Sequence, residues 1–273
     1  MGPLELTEGV RVGGAVAPVV EGRIHVPLPF LYKECTPPRS RDLVRPMAAV
    51  IPNTTDAVRG LIMRDFVALA AAPTVAKLAH ELELSEAMVV ACLRQLHDEK
   101  RLELDKDRRS VLLAMPFSTH GSTVRIVARG LTWFAPCIFD AFGVAHLLGE
   151  DCEIHAFCPD CEEDQVVRVH DGEVREVDGV VHFPLPARTW WADDITLSCR
   201  RIHLFHSDQH VERWCQNTGT PRGKSIEVER QALLSREWYA GRLDPAWRWP
   251  GTVAFQATLA GVGLVGPFWE LLG

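Results

Sequence analysis

Between residues 56 and 117 the apolar positions recur at helical spacing. In "DAVRGLIMRDFVALAAA", Val58, Leu61, Ile62, Phe66 and Leu69 fall on one face of a helix. "TVAKLAHELEL" follows Pro73, with Thr74 placed to cap it. "SEAMVVACLRQLHDEK" opens on Ser85 as a cap and carries Met88, Val89, Cys92, Leu93 and Leu96 along one side. "RLELDKDRRSVLLAM" then alternates and turns at "DKDRR", which predicts a β-hairpin. Helices followed by a hairpin predict a winged helix-turn-helix-like domain over 56–117. Before it, residues 1–55 are rich in Pro, Gly and Val. "CTPPRSRDLVRP" must loop, because paired prolines remove donors and fix φ. That segment reads as an irregular N-terminal arm, with Cys35 structural or exposed.

From 118 to 273 the periodicity shortens. "STVRIVARGLTWFAPC" reads as strand, turn and helix entry. "CEIHAFCPDCEEDQVVRVHDGEVREVDGVVHFPLP" alternates like a meander, with turns at "HDGE" and "VDGV". "DITLSCRRIHLFHS" alternates through Ile195, Leu197 and Cys199 and predicts a strand, on which Cys199 and His203 face the same side. "QHVERWCQNTG" and "SIEVERQALLSREWYAGR" are helical. "TVAFQATLAGVGLVGPFW" approaches the length of a membrane span, but Gln256, its glycines and Pro267 interrupt it. It reads as a buried strand, a glycine turn and a short terminal helix. The fold class is α+β: an N-terminal winged-helix-like domain, then a mixed α/β core over 118–273.

Charge narrows the partners. The chain has a formal net charge of -7. The helix Ser85 to Lys100 carries few basic residues, and Glu86, Asp98 and Glu99 oppose them. A DNA binder needs several phosphate contacts, so a structural use of the winged helix is favoured over DNA binding. The N-terminus lacks the basic start and apolar core of a secretory signal, so the expected location is cytoplasmic, with no membrane partner. The eight cysteines are then expected to be thiols, available for metal, redox or nucleophilic chemistry, or simply buried. Among the eight tryptophans, Trp190, Trp191, Trp238, Trp247 and Trp249 are expected to fill the core or to cover the stretch near 220–251.

Three clusters carry candidate chemistry. "FAPCIFDAF" places Cys137 and Asp140 at i and i+3, on one face of a helix, in apolar company. The plain alternative is a buried cysteine beside a capping aspartate. "FCPDCEED" holds Cys158 and Cys161 in a CxxC, which suggests a zinc knuckle or a redox pair. Its acidic surroundings raise a thiol pKa, against redox use. "SCRRIHLFHS" holds Cys199 and His203. With Cys158 and Cys161 they make a conceivable four-ligand Zn or Cu site. Arg200 and Arg201 favour a Cys199 thiolate, and His206 lies on the opposite parity.

These pieces together resemble the organomercurial lyases (alkylmercury lyases). "CIFD" matches the family's cysteine and aspartate, "LSCRRIHLFHS" its second-cysteine strand, and Cys158, 21 residues after Cys137, its structural cysteine. "HVERW" and "GVGLVGPFWELL" resemble its later helix and closing segment. The resemblance implies an alkylmercury-lyase-like core that protonates a carbon–mercury bond. Cys137 and Cys199 are then the thiolates that take the metal, and Asp140 is the acid/base. It implies no required cofactor, Hg(II) as substrate-derived metal, low-molecular thiols to remove it, and a mercuric reductase as partner. The chain departs from the family at Arg200, where a second cysteine often stands, at Cys161, and by about 30 extra residues near 220–251. Other readings stay open: the same scaffold turned to another cysteine- and aspartate-dependent reaction in specialised metabolism, a thiolate metal-binding protein, or a metal-responsive regulator.

Overall fold

The computed structural model describes residues 53–175, 178–190, 199 and 201–271. The expected arm up to residue 52, with Cys35, lies outside the described residues, as do Trp191, Ile195, Leu197 and Arg200. No described helix is long and apolar enough to cross a membrane.

Asn53 caps the first helix, α1 (Thr54–Leu69): its side chain accepts the Asp56 N–H at 2.8 Å. Thr74 and Ser85 do the same for α2 (Val75–Glu81) and α3 (Glu86–Asp98). Val58, Leu61, Ile62 and Phe66 are buried as their spacing requires, and so are Val89, Cys92, Leu93 and Leu96. Leu69, the last residue of α1, and Met88, at the edge of its apolar stripe, instead reach solvent. Strands β1 (Glu103–Leu104) and β2 (Val111–Ala114) pair antiparallel.

The hairpin does not stand apart from the core. With β3 (Phe117–Ser118), β4 (Arg125–Ala128), β5 (Leu131–Phe134), β6 (Cys152–Phe157), β7 (Asp164–His170) and β8 (Glu173–Arg175) it forms one eight-stranded sheet. The order is β1-β2-β3-β5-β4-β6-β7-β8. Residues 125–134 make a hairpin through Arg129 and Gly130, both at positive φ. A second sheet, β10-β9-β11, is built from β9 (Val180–Phe183), β10 (His203–Phe205) and β11 (Lys224–Glu227). Helix α4 (Ile138–Leu148) follows β5, α5 (Asp208–Thr218) follows β10, and α6 (Val228–Tyr239) follows β11 directly. The stretch expected as a buried strand is instead a helix, α7 (Thr252–Gly261), with Phe255 and Leu259 buried. It shows little one-sided periodicity, which is what makes a short apolar run ambiguous between helix and strand.

Buried arginines tie the first helix to the loop after α6. The Arg59 guanidinium donates to the Arg242 carbonyl at 2.8 Å and to the Asp244 carbonyl at 2.6 Å. Arg101 donates to Asp56 at 2.7 Å and to the Pro245 carbonyl at 2.6 Å. Burial alone pushes the Asp56 carboxyl up, but hydrogen bonds from Arg248 and Arg101 outweigh it and hold its pKa below the ordinary value. Burial, with Arg101 and Arg242 close by, lowers Arg59 to about 9. Trp133 adds a second tie, its indole N–H donating to the Phe66 carbonyl at 2.6 Å. Trp190 packs against Phe183 and Trp269 beneath the smaller sheet.

Asp56→Asn leaves the buried Arg101 guanidinium with Glu99, at 3.1 Å, as its remaining carboxylate partner. It is expected to destabilise the fold by up to about 3–5 kcal/mol, the cost of breaking a buried pair. Urea unfolding of the two proteins measures it, and equal midpoints would show that the pair contributes nothing.

Candidate active site

Helix α4 starts where a thiol and a carboxylate share one turn. Cys137 is the N-cap residue, extended at φ -155°, and its carbonyl accepts the Ala141 N–H. Its side chain makes no cap bond, so the sulfur is available to Asp140, whose Oδ2 lies 3.0 Å away. Both residues are 2 % exposed. Ile138, Phe139, Ala141 and Phe142 around them are buried too.

Cys199 completes the group. Its sulfur, that of Cys137 and an Asp140 oxygen lie within 4.8 Å of one another. Cys199 is more accessible than the other two. It reaches the site from a helical turn, not from the expected strand: its carbonyl accepts the Ile202 N–H at 3.0 Å, and β10 begins only at His203. The shared parity expected of Cys199 and His203 is therefore absent. The alternation of "LSCRRIHLF" continued past the point where the strand starts.

Sequence reasoning missed Tyr239 and Arg242. Tyr239 ends α6 and donates its phenolic hydrogen to Asp140 Oδ1, so the carboxylate is gripped on both oxygens. α6 gets this close because of Gly143. A Cβ there would sit 2.2 Å from Tyr239 Cδ2. Ser235, one turn earlier on α6, donates to the Phe139 carbonyl at 2.8 Å and fixes the helix pair in register. Arg242 stacks on the Tyr239 ring at 4.8 Å and on Trp247 at 3.8 Å. The stretch expected as inserted, 220–251, thus supplies β11, α6 and the hydroxyl on the aspartate. A glycine opposite a tyrosine is a signal for close helix packing, but the sequence does not say which helices meet.

Burial governs the electrostatics. It drives the Cys137 thiol well above its ordinary value, and the neighbouring Cys199 and Asp140 add to that. It also raises Asp140, although hydrogen bonds from Tyr239, Cys137 and Cys199 and the charge of Arg242 pull the other way. Burial likewise pushes Tyr239 well up, so its hydroxyl stays a donor. The group can therefore hold a proton on either sulfur or carboxylate, a short distance apart, with little water near it.

The other candidates fall elsewhere. Cys158 and Cys161 lie together at the turn after β6, and the histidine beside them is His206. His203 packs edge-on against Phe205 and Trp214, and burial lowers it to about 4, with His182 adding to the effect. It belongs to none of the three clusters of possible ligands among the described residues. The four residues Cys158, Cys161, Cys199 and His203 therefore form no single metal site. Cys92 and Cys152 are buried in the main core.

Comparison with known proteins gives a family match and a similar fold. Residues 117–240 match the family model MerB, alkylmercury lyase. The fold is similar to that in the crystal structure of the mercury-bound form of MerB2, at 22 % identity and a TM-score of 0.55, over 71 % of this chain and 94 % of that one. No curated protein matches.

Gly143→Ala forces the Tyr239 ring off Asp140. Overpacking of this kind costs about 1–3 kcal/mol, more than the roughly 1 kcal/mol gained by replacing glycine in a helix. The variant is expected to melt lower than the parent by calorimetry; a higher melting temperature would show that α6 yields freely.

Proposed function

We infer that this chain, whose residues 117–240 match the alkylmercury lyase family model, is an organomercurial lyase. The observation that carries the reading is the buried group of two thiols on one carboxylate, Cys137, Cys199 and Asp140. Mercury is a soft cation and thiolate is its matching ligand. Hg(II) enters as part of the substrate and no resident cofactor takes part.

The steps follow from exposure and hydrogen bonding. The more accessible Cys199 meets R–Hg–X first. Its sulfur bonds to mercury, X leaves, and the thiol proton departs with it as HX. The Cys137 thiol then passes its proton to the Asp140 carboxylate at 3.0 Å, and its sulfur becomes the second bond to mercury. Asp140, now a neutral acid in an apolar site, gives that proton to the carbon. The electron pair of the carbon–mercury bond becomes the new C–H bond, R–H leaves, and Hg(II) stays on the two sulfurs. Two low-molecular thiols remove the metal and return a proton to each cysteine. A mercuric reductase is the reaction class that consumes the product.

The Tyr239 hydroxyl positions the acid. It holds Oδ1, so that Oδ2 faces the sulfur and the reacting carbon. Its hydrogen bond also opposes the upward shift caused by burial.

The three amino-terminal helices serve the core as support. On their outer side, Arg108 pairs with Asp98 and Arg109 with Glu86, each at 3.1 Å. The hairpin cations are thus neutralised by α3 itself and are not presented to a phosphate backbone.

Purified protein incubated with phenylmercuric acetate and excess thiol is expected to release benzene. Asp140→Asn removes the proton carrier, and the rate should fall by about 10²–10⁴-fold, as for loss of a general acid. Cys137→Ser and Cys199→Ser should also lose benzene release. Release at the parental rate from folded Asp140→Asn would refute the mechanism.

Tyr239→Phe removes a donor that stabilises the Asp140 carboxylate, so the Asp140 pKa rises further. The carboxylate must be unprotonated to accept the Cys137 proton. The acidic limb of the kcat profile is therefore expected to move to higher pH, with the alkaline limb unmoved. An unchanged acidic limb would show that the hydroxyl has no electrostatic role.

A further inference from the structure

The CxxC turn lies outside the chemistry above. Cys158 directly follows β6 and is fully buried, and Cys161 is partly exposed. Their sulfurs and a ring nitrogen of His206 lie within 4.8 Å of one another. The turn is built the way a metal knuckle is built. The Cys158 N–H donates to the Glu163 carbonyl at 2.9 Å, and the Glu162 N–H donates to the Cys158 carbonyl at 2.8 Å. Glu162 takes a left-handed conformation, at φ 61°, to close it. The Glu163 backbone N–H donates to the Cys161 sulfur.

A second observation is independent of the thiols. His206 Nε2 is sealed from solvent and makes no hydrogen bond. The Glu163 carboxylate stands 3.6 Å from it. A buried polar nitrogen without a partner is costly unless something satisfies it. The surroundings are held firmly. Arg213 of α5 clamps Asp160, between the two cysteines, with contacts of 2.6 and 3.0 Å. Phe205, Val211 and Cys215 pack around Cys158, with Trp214 at the edge.

We propose that Cys158, Cys161 and His206 bind a thiophilic d10 cation, Zn(II) being the fitting one, at a site separate from Cys137 and Cys199. Two sulfurs and an imidazole are a zinc donor set, and the fourth tetrahedral position falls to Glu163 or to water. Its role follows from where the ligands come from. Cys158 and Cys161 belong to the β6–β7 turn of the large sheet, and His206 follows β10 of the small one. The cation staples the two sheets at the end of the segment that runs from Cys199 to His206. The role rests on the lyase reading for its consequence in catalysis, but the binding itself does not.

The test uses the full, reduced, metal-free chain titrated with Co(II). The expected result is one equivalent bound, with thiolate-to-cobalt absorption in the near ultraviolet and intense tetrahedral d–d bands, displaced by one equivalent of Zn(II). A Cys137→Ser/Cys199→Ser double variant should keep the signal. Cys161→Ser and His206→Ala should each weaken binding by at least the roughly 10–100-fold that loss of an outer-sphere partner causes. Zn(II) should raise the melting temperature of the parent but not of those two variants. Three results would overturn the proposal: no cobalt signal from the reduced parent, a signal lost only in the double variant, or Cys158 and Cys161 found as a disulfide with no metal uptake after reduction. Benzene release measured alongside separates this outcome from failure of the lyase reading, since that activity depends on Cys137 and Cys199.

Discussion

The site depends on how closely α6 approaches α4. At Gly143 the two helices meet with no side chain between them, and the Tyr239 ring fills the space that a Cβ would occupy. That approach brings a phenol to a carboxylate inside a region from which water is excluded. Without it Asp140 would keep only sulfur partners, and burial would carry its pKa higher still. The same contact explains why the hydrogen bond from Ser235 to the Phe139 carbonyl exists: it satisfies a polar group on α4 within the tightest stretch of the interface.

The loop after α6 carries this arrangement back to the start of the described chain. Arg242 lies on the Tyr239 ring, its carbonyl accepts from Arg59 of α1, and Trp247 packs against both guanidinium groups. Arg101 and Asp56 close the circuit through the Pro245 carbonyl. The three amino-terminal helices are therefore coupled mechanically to the residue that grips the carboxylate. Their hairpin also continues the main sheet through β3 into β5, whose end leads to Cys137.

Much of this was legible in the chain. Apolar spacing located α1, α2 and α3, because an amphipathic helix writes its buried face at a fixed period, and Asn53, Thr74 and Ser85 mark where each begins. The rare residue types Cys137, Asp140 and Cys199, singled out in the sequence, are ones that the fold brings within 4.8 Å of one another. What stayed hidden was tertiary. Tyr239 is about 100 residues from Asp140, at |i−j| = 99, and no local rule relates them. α7 was misread as a strand because a run that is apolar on nearly every side has no informative period. The Cys199 segment was misread for the opposite reason: its alternation is genuine in β10 and was extended backwards too far. His206 was set aside on strand parity, yet it lies just past the strand, where parity has no force.

Cys137 and Asp140 sit on a single turn of one helix, whereas Cys199 arrives from a segment more than fifty residues further on. The Asp140 carboxylate and the Cys137 sulfur are thus held 3.0 Å apart by one stretch of backbone. The second sulfur hangs on an independent piece of chain. One half of the group is therefore set by a single helical turn, and the other by where a separate stretch of backbone is seated.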